Sequence, residues 1–389
     1  MARFGSPLPW MLLGLAVYLS SCSKCGSTVP ALPDGGKAKG KHLSVEAGAN
    51  VGEFVSLHLD ASDIVHLSYY DRSQQALKYA RQTENGFSVE TVESNCSQCL
   101  YSAIKQNAQG EPVVAYYSGT DKMLMLAMKV GQEWKKETIE WGQGTGMGVR
   151  LLYDQQGKLH ALYYSGDGFL KHAWREQPKP VAAQPAKGQD QPPANAGIWG
   201  SEQVDRANGS EKVLITLMEQ PQGGLVASYL HWSGLSSELK IAYQRKDQGW
   251  TCEVVTRENN PGKSSALFVD SGSAPQIIYR ESMSNNLVLT RFTQNGWEAK
   301  PLCDQAFNMA FATNGKGVLL LAFSRGPGTD VRDGSLSYAL FRQGRWARHQ
   351  VSQSPGSGAY LDVAVSSHGQ PIVAYHEEKA KTLQVFIGE

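Results

Sequence analysis

The chain lacks an excess of charge of either sign. Across 389 residues, 37 Lys and Arg face 36 Asp and Glu. The first 21 residues carry only Arg3, so a chain processed there would be balanced. Nothing resembles the basic stripe that nucleic-acid binding requires, and no nucleic-acid partner is expected. Long apolar runs are also missing. The longest, Leu8 to Leu19, has about a dozen residues, too few to span a bilayer comfortably. Cysteine is scarce: six residues, and with Cys22 read as the lipidated residue, Cys96 and Cys99 are the close pair left among the other five. A zinc site would want a second ligand pair at suitable spacing, and a redox centre would want the pair at a helix N-terminus, where a thiolate is stabilised. Neither condition is met, so no metal and no cofactor are expected. In an exported protein, a local disulfide or simple thiols at Cys96 and Cys99 fit better. Cys252 and Cys303 either pair or stay buried singly.

The N-terminus has the flanks of a signal peptide: Arg3, the apolar run, then Leu19-Ser20-Ser21-Cys22. Those last four residues resemble the bacterial lipobox. The resemblance implies that residues 1–21 are removed and that Cys22 receives the lipid. With Ser23 rather than Asp next, it also implies a Gram-negative outer membrane. Acyl chains, each buried CH₂ contributing about 0.8 kcal/mol, would hold such a protein stably at the envelope. From Cys22 to Gly40 the chain is Gly, Ser, Pro, Ala and Lys with almost no large apolar residue, and reads as a flexible tether.

What the chain has in quantity is Gly, 40 residues, and Tyr, 16 residues, a composition of turns and strands. It also has a repeat. Apolar runs such as Pro112-Val113-Val114-Ala115-Tyr116-Tyr117 recur, each ending on an aromatic marker: Tyr69, Tyr116, Tyr163, Tyr229, Tyr279, Phe323 and Tyr375. The markers lie about 44 to 52 residues apart, with one longer gap after Tyr163. After each comes a short strand such as Leu77-Lys78-Tyr79-Ala80 or Leu170-Lys171-His172-Ala173. Six are then followed by a strand opened by Phe87, Trp134, Trp199, Trp250, Trp297 or Trp346. Another strand stands ahead of each marker. Four short antiparallel strands at this period predict an all-β fold, a seven-bladed β-propeller over residues 41–389. The marker run is apolar at nearly every position, as a strand covered on both faces must be, whereas Trp134-Lys135-Lys136-Glu137-Thr138-Ile139 alternates, as an outer strand does.

Seven markers but six aromatic openers leave the last blade one strand short. Leu43-Ser44-Val45-Glu46 has the form of Phe87-Ser88-Val89-Glu90, so the N-terminal segment is expected to supply that strand and close the ring. Residues 176–197, dominated by Pro, Ala, Gln, Lys and Gly, account for the long gap as a disordered insertion in blade three.

Loops following the marker strands gather at one face of a propeller. They present Asp71, Arg72, Ser118, Ser165, Asp167, His231, Trp232, Arg280, Glu281, Arg325, His376, Glu377 and Glu378. Of these, Asp71, Arg72, His231, Trp232, Arg280, Glu281, Arg325, His376 and Glu377 are the candidate ligand-binding residues, with Trp232 a stacking face and Arg280 or Arg325 a carboxylate fork. The loop from Gly142 to Gly148 does not lead from an apolar strand into a helix, so it reads as a flexible connection rather than a phosphate cradle.

The repeat resembles the sialidase-like propellers of secreted bacterial proteins over about residues 41–389. The resemblance implies the fold. It does not carry over catalytic residues: Asp247-Gln248-Gly249-Trp250 departs from an Asp box in spacing and leading Ser, and the family's Arg triad, Tyr nucleophile and acid Asp have no matching positions. The favoured reading is a lipid-anchored, non-enzymatic scaffold for a protein or glycan. An extracellular polysaccharide hydrolase or lyase using Asp71, Glu281 and Glu377 is the alternative, and a structural subunit of an envelope complex is a third.

Overall fold

The structure, a computed structural model, describes residues 32–48, 50–175, 199–208, 215–245, 249–269, 274–304, 306–325 and 334–389. All regular elements among them are strands. The first two, β1 (Asp34–Lys37) and β2 (Gly40–Ala47), are borrowed by blades at the other end of the chain. Blade one is β3 (Val51–Leu59), β4 (Val65–Asp71), β5 (Ala76–Thr83) and β6 (Gly86–Glu93). Blade two is β7 (Cys99–Gln106), β8 (Pro112–Ser118), β9 (Met123–Val130) and β10 (Glu133–Trp141). Blade three is β11 (Met147–Tyr153), β12 (Leu159–Tyr164), β13 (Phe169–Arg175) and β14 (Trp199–Arg206). Blade four is β15 (Thr216–Glu219), β16 (Leu225–Trp232), β17 (Ser237–Arg245) and β18 (Gly249–Thr256). Blade five is β19 (Pro261–Val269), β20 (Pro275–Glu281), β21 (Leu287–Thr293) and β22 (Gly296–Cys303). Blade six is β23 (Ala306–Thr313), β24 (Leu319–Arg325), β25 (Ser335–Arg342) and β26 (Arg345–Ser352). Blade seven is β27 (Leu361–Val365), β28 (Pro371–Glu377) and β29 (Thr382–Gly388), completed by β2.

The innermost strands β3, β7, β11, β15, β19, β23 and β27 contact one another in sequence, and β27 returns to β3, so the ring is closed. The marker strands are second in each blade. In β4 and β8 every residue is buried, because blades cover both faces. Their large apolar side chains form the core between blades, with Tyr69, Tyr116, Tyr163, Tyr229, Tyr279 and Phe323 almost wholly enclosed. The outer strand β10 alternates between exposed and covered residues, because only one end of the blade stack lies beyond it.

The closing strand forms as expected. β2 pairs antiparallel with β29, Leu43 opposite Val385 and Lys41 opposite Ile387. This hydrogen-bonded seam joins the two ends of the ring.

The tether expected to run to Gly40 ends earlier. β1 lies parallel to β26, giving blade six a fifth strand. Arg348 N donates to Pro33 O at 2.8 Å and Ala38 N to Gln350 O at 2.8 Å. Leu32 is buried beside Cys303, Phe323 and the rest of that inter-blade cluster. Composition hid this because an unpaired sheet edge can order a polar segment through its backbone, with a single Leu as anchor. The insertion expected at 176–197, the lipobox and Cys25 lie outside the described residues.

Cys96 and Cys99 form a disulfide, with Cα atoms 5.6 Å apart. Cys252 and Cys303 are both free thiols, the first half-buried and the second buried. The loop read as a flexible connection is instead held. Gly142 N donates to Lys122 O, Gly144 N to the Tyr117 hydroxyl and Gly146 N to Tyr164 O. Gly146 has a φ of 110°, and a Cβ there would stand 2.8 Å from Leu124 Cδ1. Only glycine lets the chain pass this close to the neighbouring blade.

Candidate functional site

The marker strands end at one face, and the turns that follow them satisfy most of their own polar groups, Arg325 Nε being left without a partner among the described residues. Asp71 is almost fully buried; it meets Lys78 Nζ at 2.9 Å and accepts from the amides of Ser73 and Gln74. Arg72 forks onto Glu53 with two contacts of 2.7 Å, and this pairing raises its pKa. Ser118 donates to Asp121, and Ser165 to Asp167. His231 accepts from Asn208 N at 3.3 Å, and the Trp232 amide donates to Asn208 O. Arg280 donates to Ala306 O and Asn285, and burial lowers its pKa. Glu281 accepts from Asn259 and Ser284, and Arg325 bonds Asp304 at 2.6 Å. His376 donates through Nδ1 to Val51 O at 2.7 Å and faces Glu378 through Nε2. Glu377 accepts from Ser357 and Ser352. These groups cap turns and lock neighbouring blades, which is work for which Asp, Ser, Asn and Arg are suited by their short reach or their fork.

Arg325 also borders a cavity of about 290 Å³ beside Asp34 and Arg348. A wider cavity lies away from these turns. It fills the central channel with a volume of about 400 Å³ and is lined by the innermost strands; none of the nine candidate ligand residues lines it. Because residues alternate along a strand, each inner strand turns every second side chain to the channel. The pairing registers define its tiers. Ser56, Ala103, Arg150, Thr216, Ala266, Ala310 and Asp362 each pair with the residue just before a marker, and so form one ring. His58, Lys105 and Met218 stand two residues further along. The cavity follows these later halves of the inner strands, reaching Leu59, Thr313 and Val365, and therefore runs toward the turns between first and second strands. That is the face opposite the marker ends.

Two cations and one carboxylate share this cavity. Arg150 donates from Nε to Ile215 O at 3.0 Å and from Nη1 to Val149 O at 3.1 Å, and burial lowers its pKa. Burial also lowers the pKa of Lys105, with Asp362 opposing that shift. Asp362 accepts Leu57 N at 2.8 Å through Oδ2 and Val363 N at 3.0 Å through Oδ1. Its pKa is nonetheless raised, because burial outweighs the two cations and the two amides. His58 is pushed down to about 4, chiefly by burial and then by Lys105, and is neutral at pH 7.

At the opposite end of the channel, Phe54, Tyr101 and Tyr360 make an aromatic arc over blades seven, one and two. Phe54 stands 4.9 Å by centroids from each of the two tyrosines. Phe54 and Tyr101 adopt φ values of 53° and 58°, uncommon for bulky side chains and imposed by irregularities in the β3–β4 and β7–β8 pairings. The sequence signal for the channel residues was available. In the strands ahead of the markers, position by position, Arg150 and Asp362 stand where other copies carry Ala, Ser or Thr.

No family model matches the chain, and no curated protein matches it. Solved structures do. A lectin from Burkholderia pseudomallei, BP39L, is 14% identical, with a TM-score of 0.60 over 85% of this chain and 97% of its own. A polysaccharide lyase of the PL25 ulvan lyase family is 9% identical, with a TM-score of 0.60 over 91% of this chain and 96% of its own. A leech intramolecular trans-sialidase matches at 9% identity over 90% of this chain and 70% of its own, with a TM-score of only 0.42. At these identities the likeness is one of fold. The protein is a seven-bladed β-propeller.

Proposed function

We propose that the protein is a lipid-anchored β-propeller of the bacterial envelope, in the outer membrane, that binds a glycan without transforming it. The lipobox-like Leu19-Ser20-Ser21-Cys22 supports the anchor. The channel cavity falls within the size range of small-ligand sites and combines fixed polar groups with apolar walls. Propellers of similar fold include a lectin, and a PL25 ulvan lyase described as bound to a GlcA-Rha3S saccharide.

The observation that favours binding over catalysis is where the carboxylates are spent. Asp362 commits both oxygens to backbone amides. Asp71, Glu281 and Glu377, on which a hydrolase or lyase would rely, are each tied into turns. A general base or nucleophile needs a free oxygen aimed at substrate. The expected result is retention of selected glycans by the detergent-solubilised protein on a glycan array, with no shortening of those glycans after prolonged incubation. Release of unsaturated or reducing ends would establish the enzyme reading instead. For the anchor, Cys22→Ala is expected to move the protein from the membrane to the soluble fraction.

A further inference from the structure

We propose that the channel cavity receives a small hydroxylated monoanion whose carboxylate sits between Lys105 and Arg150, with Asp362 restricting the occupant to a single negative charge. The proposal rests on the binding reading above and names the ligand chemistry of that site.

The first argument is positional. Arg150 and Asp362 lie in one tier of the channel, on blades three and seven, and Lys105 lies two residues further on blade two. All three line the same cavity. Arg150 is aimed before any ligand arrives, since the carbonyls of Ile215 and Val149 hold its Nε and Nη1. Ordering such a side chain in advance removes part of the entropic cost of binding.

The second argument is charge balance. The Lys105 ammonium makes no hydrogen bond or ion pair with any described residue, and Asp362 interacts with the two cations through space alone, without a direct ion pair. With His58 neutral, the cavity carries two positive charges against at most one negative. Uncompensated charge held partly away from bulk water is costly, and burial accordingly opposes the charged forms of both Lys105 and Arg150. A monoanion cancels the remainder. While Asp362 is ionised, a dianion overshoots it and is repelled by that carboxylate.

The third argument is the wall. The Ser56 and Thr216 hydroxyls are already held by the backbone of the neighbouring blades, so the polar edges left beside the cations are the His58 imidazole and the Thr313 hydroxyl, while Met218 and Phe311 supply apolar surface. That mixture suits a ring with hydroxyls on its rim and C–H groups on its face, and a hexuronate has both together with a carboxylate.

Isothermal titration of the detergent-solubilised full-length protein tests this with D-glucuronate, D-gluconate, D-glucose and inorganic sulfate. Saturable binding of glucuronate or gluconate is expected, with glucose at least about tenfold weaker. Lys105→Met and Arg150→Met should each weaken glucuronate by roughly tenfold or more, and Asp362→Asn should tighten it and admit sulfate. Each variant's thermal melt establishes that it is folded; Lys105→Gln and Arg150→Gln replace any that is not. Equal affinity for glucuronate and glucose, wild-type affinity in the folded variants, or no binding of either carboxylate would overturn the proposal. If array glycans are retained while the channel variants bind them as the wild type does, the binding reading stands and this site assignment falls. If neither arrays nor carboxylates bind, both fall.

Discussion

A histidine of the channel wall shows how one residue's surroundings determine its protonation. His58 is deprived of solvent and faces Lys105, and its pKa drops to about 4 against an ordinary value of 6.5. In the unfolded chain it takes up a proton as pH falls below about 6.5, while the folded protein resists until about 4. The unfolded state therefore binds more protons in that window, and His58 withdraws stability as the solution is acidified from about 6.5 to 4. Its contribution, on the order of 2–3 kcal/mol at pH 4, is isolated by difference. His58→Gln is expected to flatten the fall of melting temperature between pH 6.5 and 4 relative to the wild type, with little change at pH 8. Parallel melting profiles would show that other groups govern acid lability. Carboxylates with lowered pKa, such as Asp60 and Asp154, lose their stabilising contribution at still lower pH. Three marker strands end in tyrosine pairs, Tyr69-Tyr70, Tyr116-Tyr117 and Tyr163-Tyr164. The first tyrosine of each pair packs between blades, and the second ties down its neighbourhood, as when Tyr70 donates to Ser97 O in the connection to blade two and Tyr164 to Leu230 O in the marker strand of blade four.

Between elements, the same few side chains recur as a staple. Tyr69 donates to Glu46 Oε2 at 2.7 Å while Lys78 reaches Glu46 Oε1 at 2.5 Å, which fastens blade one to the closing strand. Tyr163 and Lys171 hold Glu140 of blade two, and Tyr229 and Lys240 hold Asp205 of blade three. In each case Lys stands directly opposite the marker on the next strand. In blade two that position is Met125, and Lys136 reaches Glu93 from the outer strand instead. The phenols are held neutral, their pKa raised by burial and by the carboxylates they serve. Tyr163→Phe keeps the ring, which blade six accepts naturally at Phe323, and removes the hydrogen bond. We expect a loss of about 1–2 kcal/mol, read as a melting temperature lower by about 1–3 °C, whereas Tyr163→Ala should cost about 3–5 kcal/mol. Equal losses for the two would mean the hydroxyl, not the ring, holds the seam.

For the whole molecule, closure depends on a segment far from its partner in sequence. β2 adds a strand to blade seven and also supplies Glu46 to the staple of blade one. Deleting residues 40–47 should lower the melting temperature by on the order of 10 °C and leave a single transition. Deleting residues 32–37 removes only a parallel edge strand and Leu32, so a smaller loss is expected. The reverse order, measured by calorimetry on the two deletions, would contradict this account of the seam. Blade number, the marker strands and the closing strand were legible in the sequence because each rests on local periodicity repeated seven times. The β1 strap was not, since a backbone edge recruits almost any sequence, and its one signal was Leu32.

The functional site divides along the same line. By itself the sequence determined the ring: alternating and continuous apolar runs, read at the strand period, specify which strands are buried and how many blades there are. It also showed which charged residues follow the marker strands, but not that Asp71, Arg280, Glu281 and Glu377 would be consumed by their own turns. Only the tertiary structure brought Lys105, Arg150 and Asp362 into one cavity. They come from three blades; the repeat puts Arg150 and Asp362 at equivalent positions, but closure of the ring is what sets them across one channel from each other. Periodicity reports which face of a strand is covered; the company a side chain keeps across a channel is a matter of closure.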